Sequence, residues 1–222
     1  LLTDVLNCGT CGNVCNFPNA EPLCQSGTCV MGDCLNGFHD LNNDSSDGCE
    51  YECAYISDTD LPDEDFIDAD CDMIDGEIEK AVFADIITGH DSNSGLSQDE
   101  AKKTLSAALQ AAVLNGRDYV LVSEGIYNVD TLELISNVSI YGGYSSADNW
   151  QRSSENITEI NGSVKAVEGI SATNVILSHL DITSADGSYF GDSSYCVFLE
   201  ACDDIVISHC SVKSGRGRSE ER

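Results

Sequence analysis

The sequence predicts a mainly β chain: a small disulfide-rich module, an acidic connector, and then a solenoid of short stacked strands entered through one helix. Three observations carry that expectation. Eight of the twelve cysteines lie between positions 8 and 53. Beyond residue 80 the chain becomes short β-branched runs separated by Gly, Asn, Asp and Ser, which is strand-and-turn chemistry. One stretch also recurs, Asn174–Gly187 aligning with Asp204–Gly217 without a gap at a shift of 30.

The front module spans residues 1–56. Cys8, Cys11, Cys15, Cys24, Cys29, Cys34, Cys49 and Cys53 fall in a segment with few large apolar side chains, so covalent staples are expected where a core is too small. Cys8-x-x-Cys11 has a spacing used by zinc and redox sites, but no second such pair and no paired histidines complete a tetrahedral centre. Four disulfides are the expectation. Eight cysteines allow about 105 pairings, and the connectivity stays open.

Residues 57–78 read as an acidic connector and a candidate calcium site. Asp63, Asp65, Asp68, Asp70, Asp72 and Asp75 form a dense string, and Asp40-x-Asn42-x-Asp44-x-x-Asp47 has the alternating start of a calcium loop. Hard oxygens at this density suit a cation that takes six to eight of them. Neither stretch is an EF-hand: the first has Ser45 where the sixth-position glycine would be and Tyr51 where the closing glutamate would be. The competing reading is a solvated linker.

Charge narrows the partners. With 39 Asp and Glu against 10 Lys and Arg the formal net charge is -29 and the pI about 4.1. Such a surface repels nucleic acid and anionic membranes and favours divalent cations. No run of apolar residues is long enough for a membrane span. The opening Leu1-Leu2-Thr3-Asp4 lacks the basic start of a signal peptide, so an export signal is expected to have been removed or to lie outside this chain.

Residues 79–222 carry the repeat. Ser97-Gln98-Asp99-Glu100 reads as a capping box opening a helix, with an apolar stripe of Leu105, Ala108, Leu109, Ala112 and Val113 and a stop at Asn115-Gly116. Strands are expected at 119–122, 138–140, 175–177, 180–182, 205–207 and 210–212. Period-2 alternation points Val175, Leu177, Leu180 and Ile182 inward, matched by Ile205, Ile207, Cys210 and Val212. A coil of this kind cannot bury its own apolar face, so coils must stack. After Val212 nothing amphipathic follows, and further β-helix coils or a cap are expected as partners at that end. His179 and His209 share a repeat position and should stack about 4.8 Å apart, as a hydrogen-bonding turn ladder or, alternatively, a metal pair. Cys71 falls in the acidic string; two of Cys196, Cys202 and Cys210 are expected to pair, with a core thiol as the competing role for Cys210.

Several elements in order resemble a known family. Val82-Phe83, Gly89-x-Asp91-x-Asn93-x-Gly95, Thr104-Leu105-x-x-Ala108-x-x-x-Ala112 and Tyr119-Val-Leu-Val-x-x-Gly125-x-Tyr127 are similar to the entry segment of pectin-lyase-like proteins. Tyr141-Gly-Gly-Tyr144 and Trp150-x-Arg152 resemble the continuation found in exported bacterial members. The resemblance covers about residues 81–217 and implies a right-handed parallel β-helix with an N-terminal capping helix. The front, through Cys8-Gly-x-Cys11-Gly-x-x-Cys15, Asp47-Gly-Cys-Glu50 and the aspartate string, resembles modules of surface proteins from environmental Gram-negative bacteria. An extracellular or outer-surface location is expected, mainly from the cysteines and the acidity.

Many members of that superfamily cleave acidic polysaccharides by β-elimination, which needs a base and cations to neutralise a carboxylate. The basic residues here are few and do not sit beside aspartate clusters on successive coils. A glycoside hydrolase needs two carboxyls across one cleft; among Asp181, Asp186, Asp203 and Asp204, Asp181 aligns with Ser211 and Asp204 with Asn174, so no acidic pair repeats. The expected function is therefore a secreted structural or binding module that contacts an extracellular glycan or surface protein. The alternative is a carbohydrate-active enzyme, lyase or hydrolase, with its catalytic coils mostly beyond this chain.

Overall fold

The computed structural model describes residues 1–218 and is mainly β, with parallel sheets and four disulfides. Ser219–Arg222, the end of the C-terminal tail, lie outside the described residues. Two compact units form: Leu1–Asp60 with Ile67–Met73, and Leu61–Phe66 with the residues from Ile74 onward. The acidic residues expected to connect the two parts are thus divided between them.

In the first unit, strands β1 (Ala20–Gln25) and β2 (Thr28–Cys34) make an antiparallel hairpin, and β3 (Phe38–His39) pairs antiparallel with β4 (Tyr51–Glu52). The hairpin turns on Ser26-Gly27, both at positive φ, the handedness that matches strand twist. The disulfides are Cys8–Cys24, Cys15–Cys29, Cys34–Cys49 and Cys53–Cys71. This corrects the expected set at one position. Cys11 is exposed and free, because Cys8 is the member of the C-x-x-C pair turned into the interior. Cys71, assigned by sequence to the connector, is buried and takes the eighth place because its segment belongs to this unit.

The second unit opens with β5 (Ala81–Ala84) and helix α1 (Leu105–Asn115). The helix starts later than its capping-box signal. Gln98–Glu100 form only a single 3-10 turn, and Ser97 makes no cap. Extended backbone wins there because Lys102 exchanges hydrogen bonds with Phe83 and Asp85 beside β5. Thr104 is the N-cap, accepting from the Ala107 N–H, while Asp91 accepts from the N–H groups of Lys103 and Thr104. Gly116 ends the helix in the left-handed conformation, as expected. Ala111 joins the buried face, whereas Val113 is 53% exposed.

The remaining strands are β6 (Tyr119–Ser123), β7 (Gly125–Asn128), β8 (Leu132–Glu133), β9 (Ser139–Ser145), β10 (Gln151–Arg152), β11 (Thr158–Gly162), β12 (Lys165–Ile170), β13 (Thr173–Ser178), β14 (Asp181–Ser184), β15 (Tyr195–Glu200), β16 (Asp203–Ser208) and β17 (Ser211–Lys213). They form three parallel sheets ordered β16-β13-β9-β6-β5, β17-β14-β11-β7 and β15-β12-β8, with β10 antiparallel on β9. From β6 onward the chain visits these sheets in a fixed rotation. Val175 lies beside Ile205, Ile182 beside Val212 and Lys165 beside Tyr195, each 30 residues on.

Turn chemistry keeps the same beat. Asn174 and Asp204, Ser171 and Ala201, and His179 and His209 all hold positive φ at that shift. Asn137 does so one layer earlier, and the Asn174 side-chain amide donates to the Asn137 side-chain oxygen Oδ1 at 3.2 Å. Asn and Asp accept this conformation at low cost. The interior is filled by Val120, Ile140, Ile160, Val167, Val175, Leu177 and Ile182, among others. The last layer differs: Ile207 and Val212 are 40% and 49% exposed, while their equivalents Leu177 and Ile182 are buried.

Candidate metal centre

The acidic string does not act as one site. Asp75 belongs to the second unit, where it accepts from Arg152 Nη1 at 2.8 Å and from the Asp63 N–H at 2.9 Å. That pairing sets Asp75 apart from the other acids of the string, since its charge has a buried partner. Burial pushes the Asp75 carboxyl up to about 6 even against the Arg152 guanidinium. Asp63 turns an oxygen to the Asp65 N–H, and Asp65 is exposed.

Asp68 and Asp70 come together in the first unit with Asp60, and oxygens of the three lie within 4.8 Å of one another. Asp60, only 2% exposed, was not among the residues nominated from sequence. Its signal was weak: it is one aspartate among many, and only the chain's return through Ile67–Met73 brings it to the others. Asp68 accepts from the Tyr51 hydroxyl at 2.6 Å and from the N–H groups of Asp72 and Met73. Burial and Asp68 hold the Tyr51 hydroxyl well above its ordinary range. Asp70 has a buried oxygen with no hydrogen-bond partner, and burial with the Asp68 charge raises its carboxyl. Unscreened carboxylates at this spacing repel on the order of 3 kcal/mol per pair. A divalent cation reverses that sign, and a carboxylate set with an orphaned buried oxygen fits a hard ion such as calcium.

The earlier loop is built differently. Asn42 donates its amide to Asp47 and accepts from the Asp44 N–H, and Asp44 accepts from the Ser46 N–H. Those oxygens are engaged within the loop itself, and Asp40, Asp44 and Asp47 do not gather into a carboxylate cluster among the described residues. Asp40 keeps one buried oxygen without a partner.

No protein-family model, curated protein or solved structure matches this chain.

In the second unit His179 and His209 stack as expected, with ring centroids 4.9 Å apart and planes 8° from parallel. Cys196, Cys202 and Cys210 are all free, against the expected pairing, and Cys196 is buried with its thiol donating to the Ile182 carbonyl. Asp186 accepts from the Arg216 N–H, and Asp203 and Asp204 lie exposed at the start of β16, away from Asp181 in β14. The nominated acids therefore form no facing pair.

Proposed function

We propose that this chain is an extracellular or cell-surface module without catalysis of its own, in which a disulfide-held, calcium-binding unit precedes a right-handed parallel β-helix that contacts glycans or a surface protein. The observation that carries the reading is the fixed rotation of the chain through three parallel sheets, with a constant 30-residue shift over the last layers. Parallel crossovers are right-handed in nearly all known cases. The family likeness gains support from local roles: Asp91 of the Gly89–Gly95 segment holds the N-cap Thr104 through its N–H and hydroxyl, and Tyr141–Tyr144 and Arg152 pack together around β9 and β10. Four disulfides suit an oxidising compartment. Among the described residues no helix is long and apolar enough to cross a membrane. The half-exposed last layer supports further coils or a cap as its cover.

Five of the ten Lys and Arg residues that could neutralise a substrate carboxylate are engaged elsewhere. Arg152 is buried, Lys80 pairs with Glu77, Lys165 with Glu168, and Lys102 and Arg117 donate to backbone carbonyls. Incubating the protein with acidic and neutral polysaccharides should release neither reducing ends nor unsaturated products; turnover of about 1 per second or more overturns the non-catalytic reading. For calcium, a free ion concentration 100 times the dissociation constant should stabilise the fold by about 2.7 kcal/mol. Calorimetry of wild type and Asp60→Asn checks this, and identical melting with and without calcium in the wild type removes the metal from the proposal.

A further inference from the structure

The second unit holds a cleft of about 250 Å³ lined by Ser154, Asn156, Thr158, His179, Asp181 and His209. We infer that this cleft is a subsite for an uncharged, hydroxyl-rich sugar, an assignment that rests on the glycan-contact reading above and deepens it. The histidine column supplies a donor and an acceptor. Arg152 Nη2 lies 3.2 Å from His179 Nδ1, and a guanidinium can only donate, so Nδ1 accepts and the ring proton sits on Nε2. His179 is thereby a fixed neutral donor. Burial, with Arg152 and His209 beside it, keeps the ring neutral down to about pH 4. His209, half-exposed, has its Nδ1 3.4 Å from a Glu64 carboxylate oxygen, which only accepts, so the proton sits on Nδ1 and Nε2 of the neutral ring is an acceptor.

Further acceptors stand beside the two rings. Asp181 lines the cleft, and Asn156 spends its amide nitrogen on the carbonyls of Gly143 and Gln151, which leaves the side-chain oxygen as its accepting end. A sugar hydroxyl both donates and accepts, so a row of mixed partners suits it. Charge selects against uronates: Asp181 and Glu64 are acidic, and Arg152 is buried and bound to Asp75. A shared metal ion does not fit either. In parallel rings 4.9 Å apart the in-plane lone pairs run side by side and cannot converge on one ion about 2.1 Å from each nitrogen.

The test is an NMR titration of the whole chain, following the histidine ring signals, with neutral gluco- and galacto-oligosaccharides, galacturonate oligomers, and zinc alone. The expected result is that a neutral oligosaccharide shifts the His179 and His209 signals, and that His209→Ala and Asp181→Asn each weaken binding at least tenfold with unchanged melting temperature. Neutral sugar binding that both variants retain places the subsite elsewhere and overturns this inference while the glycan reading stands. A wild type that binds no glycan overturns both. Preference for galacturonate, or zinc bound by both rings, overturns the assignment of an uncharged ligand.

Discussion

Arg152 is buried with its charge intact because each direction its guanidinium points is answered. Nε donates to the Gly142 carbonyl, Nη1 to Asp75 and to the Asp63 carbonyl, and Nη2 to His179, while the rings of Phe66, Tyr141 and Tyr144 lie 5.2–5.4 Å from its centre. Arg152→Met leaves Asp75 without its cation in a site of almost no exposure, which should cost about 3–5 kcal/mol in urea denaturation if the carboxylate stays ionised. A loss under about 1 kcal/mol would show that Asp75 simply takes up a proton. His179 makes a pH prediction of definite sign. Its folded value of about 4 lies below the ordinary imidazole value of 6.5, so the unfolded chain binds the proton more readily between those values. Its contribution is fully present above pH 6.5 and is lost as pH falls through 4. Asp75, raised from 3.8 to about 6, contributes in the opposite sense over much of that window. The difference in melting temperature between wild type and His179→Gln should therefore shrink from pH 7 to pH 4, and a constant difference would refute the assignment.

Among the elements, α1 separates a sequence signal from the cap that the fold uses. Thr104→Ala should cost about 1 kcal/mol, and Ser97→Ala close to nothing, because only Thr104 accepts from a helical N–H. Equal losses would restore the capping box. The strands allow a paired comparison of equivalent residues one layer apart. Leu177→Ala empties a fully buried position and should cost about 2–5 kcal/mol. Ile207→Ala, at 40% exposure, should cost clearly less. A cost at Ile207 equal to that at Leu177 would mean that another surface covers the last layer in solution. The positions that face inward were legible from period-2 alternation, since Val175, Leu177 and Ile182 are buried as expected. Short strands such as β7 and β8 were not legible, because two to four residues carry too little periodicity.

For the whole molecule, all four disulfides lie in the first unit and the large apolar clusters lie in the second. Reduction should abolish hydrogen-exchange protection in β1–β4 while β6, β9 and β13 keep theirs; loss of protection in those three strands would show that their order also depends on the staples. The sequence by itself determined the class of the fold, the cysteine-rich front, the 30-residue register and the stacked histidines. Each is local or periodic, so alternation and spacing are enough to encode it. Tertiary structure alone decided that Cys71 replaces Cys11 in the disulfides, that Asp75 answers Arg152, and that Asp60 joins Asp68 and Asp70. The physical reason is the same in each case. These partners are distant in sequence or alike in chemistry, and neither composition nor spacing ranks one aspartate or cysteine above its neighbours until the chain's path selects which are buried together.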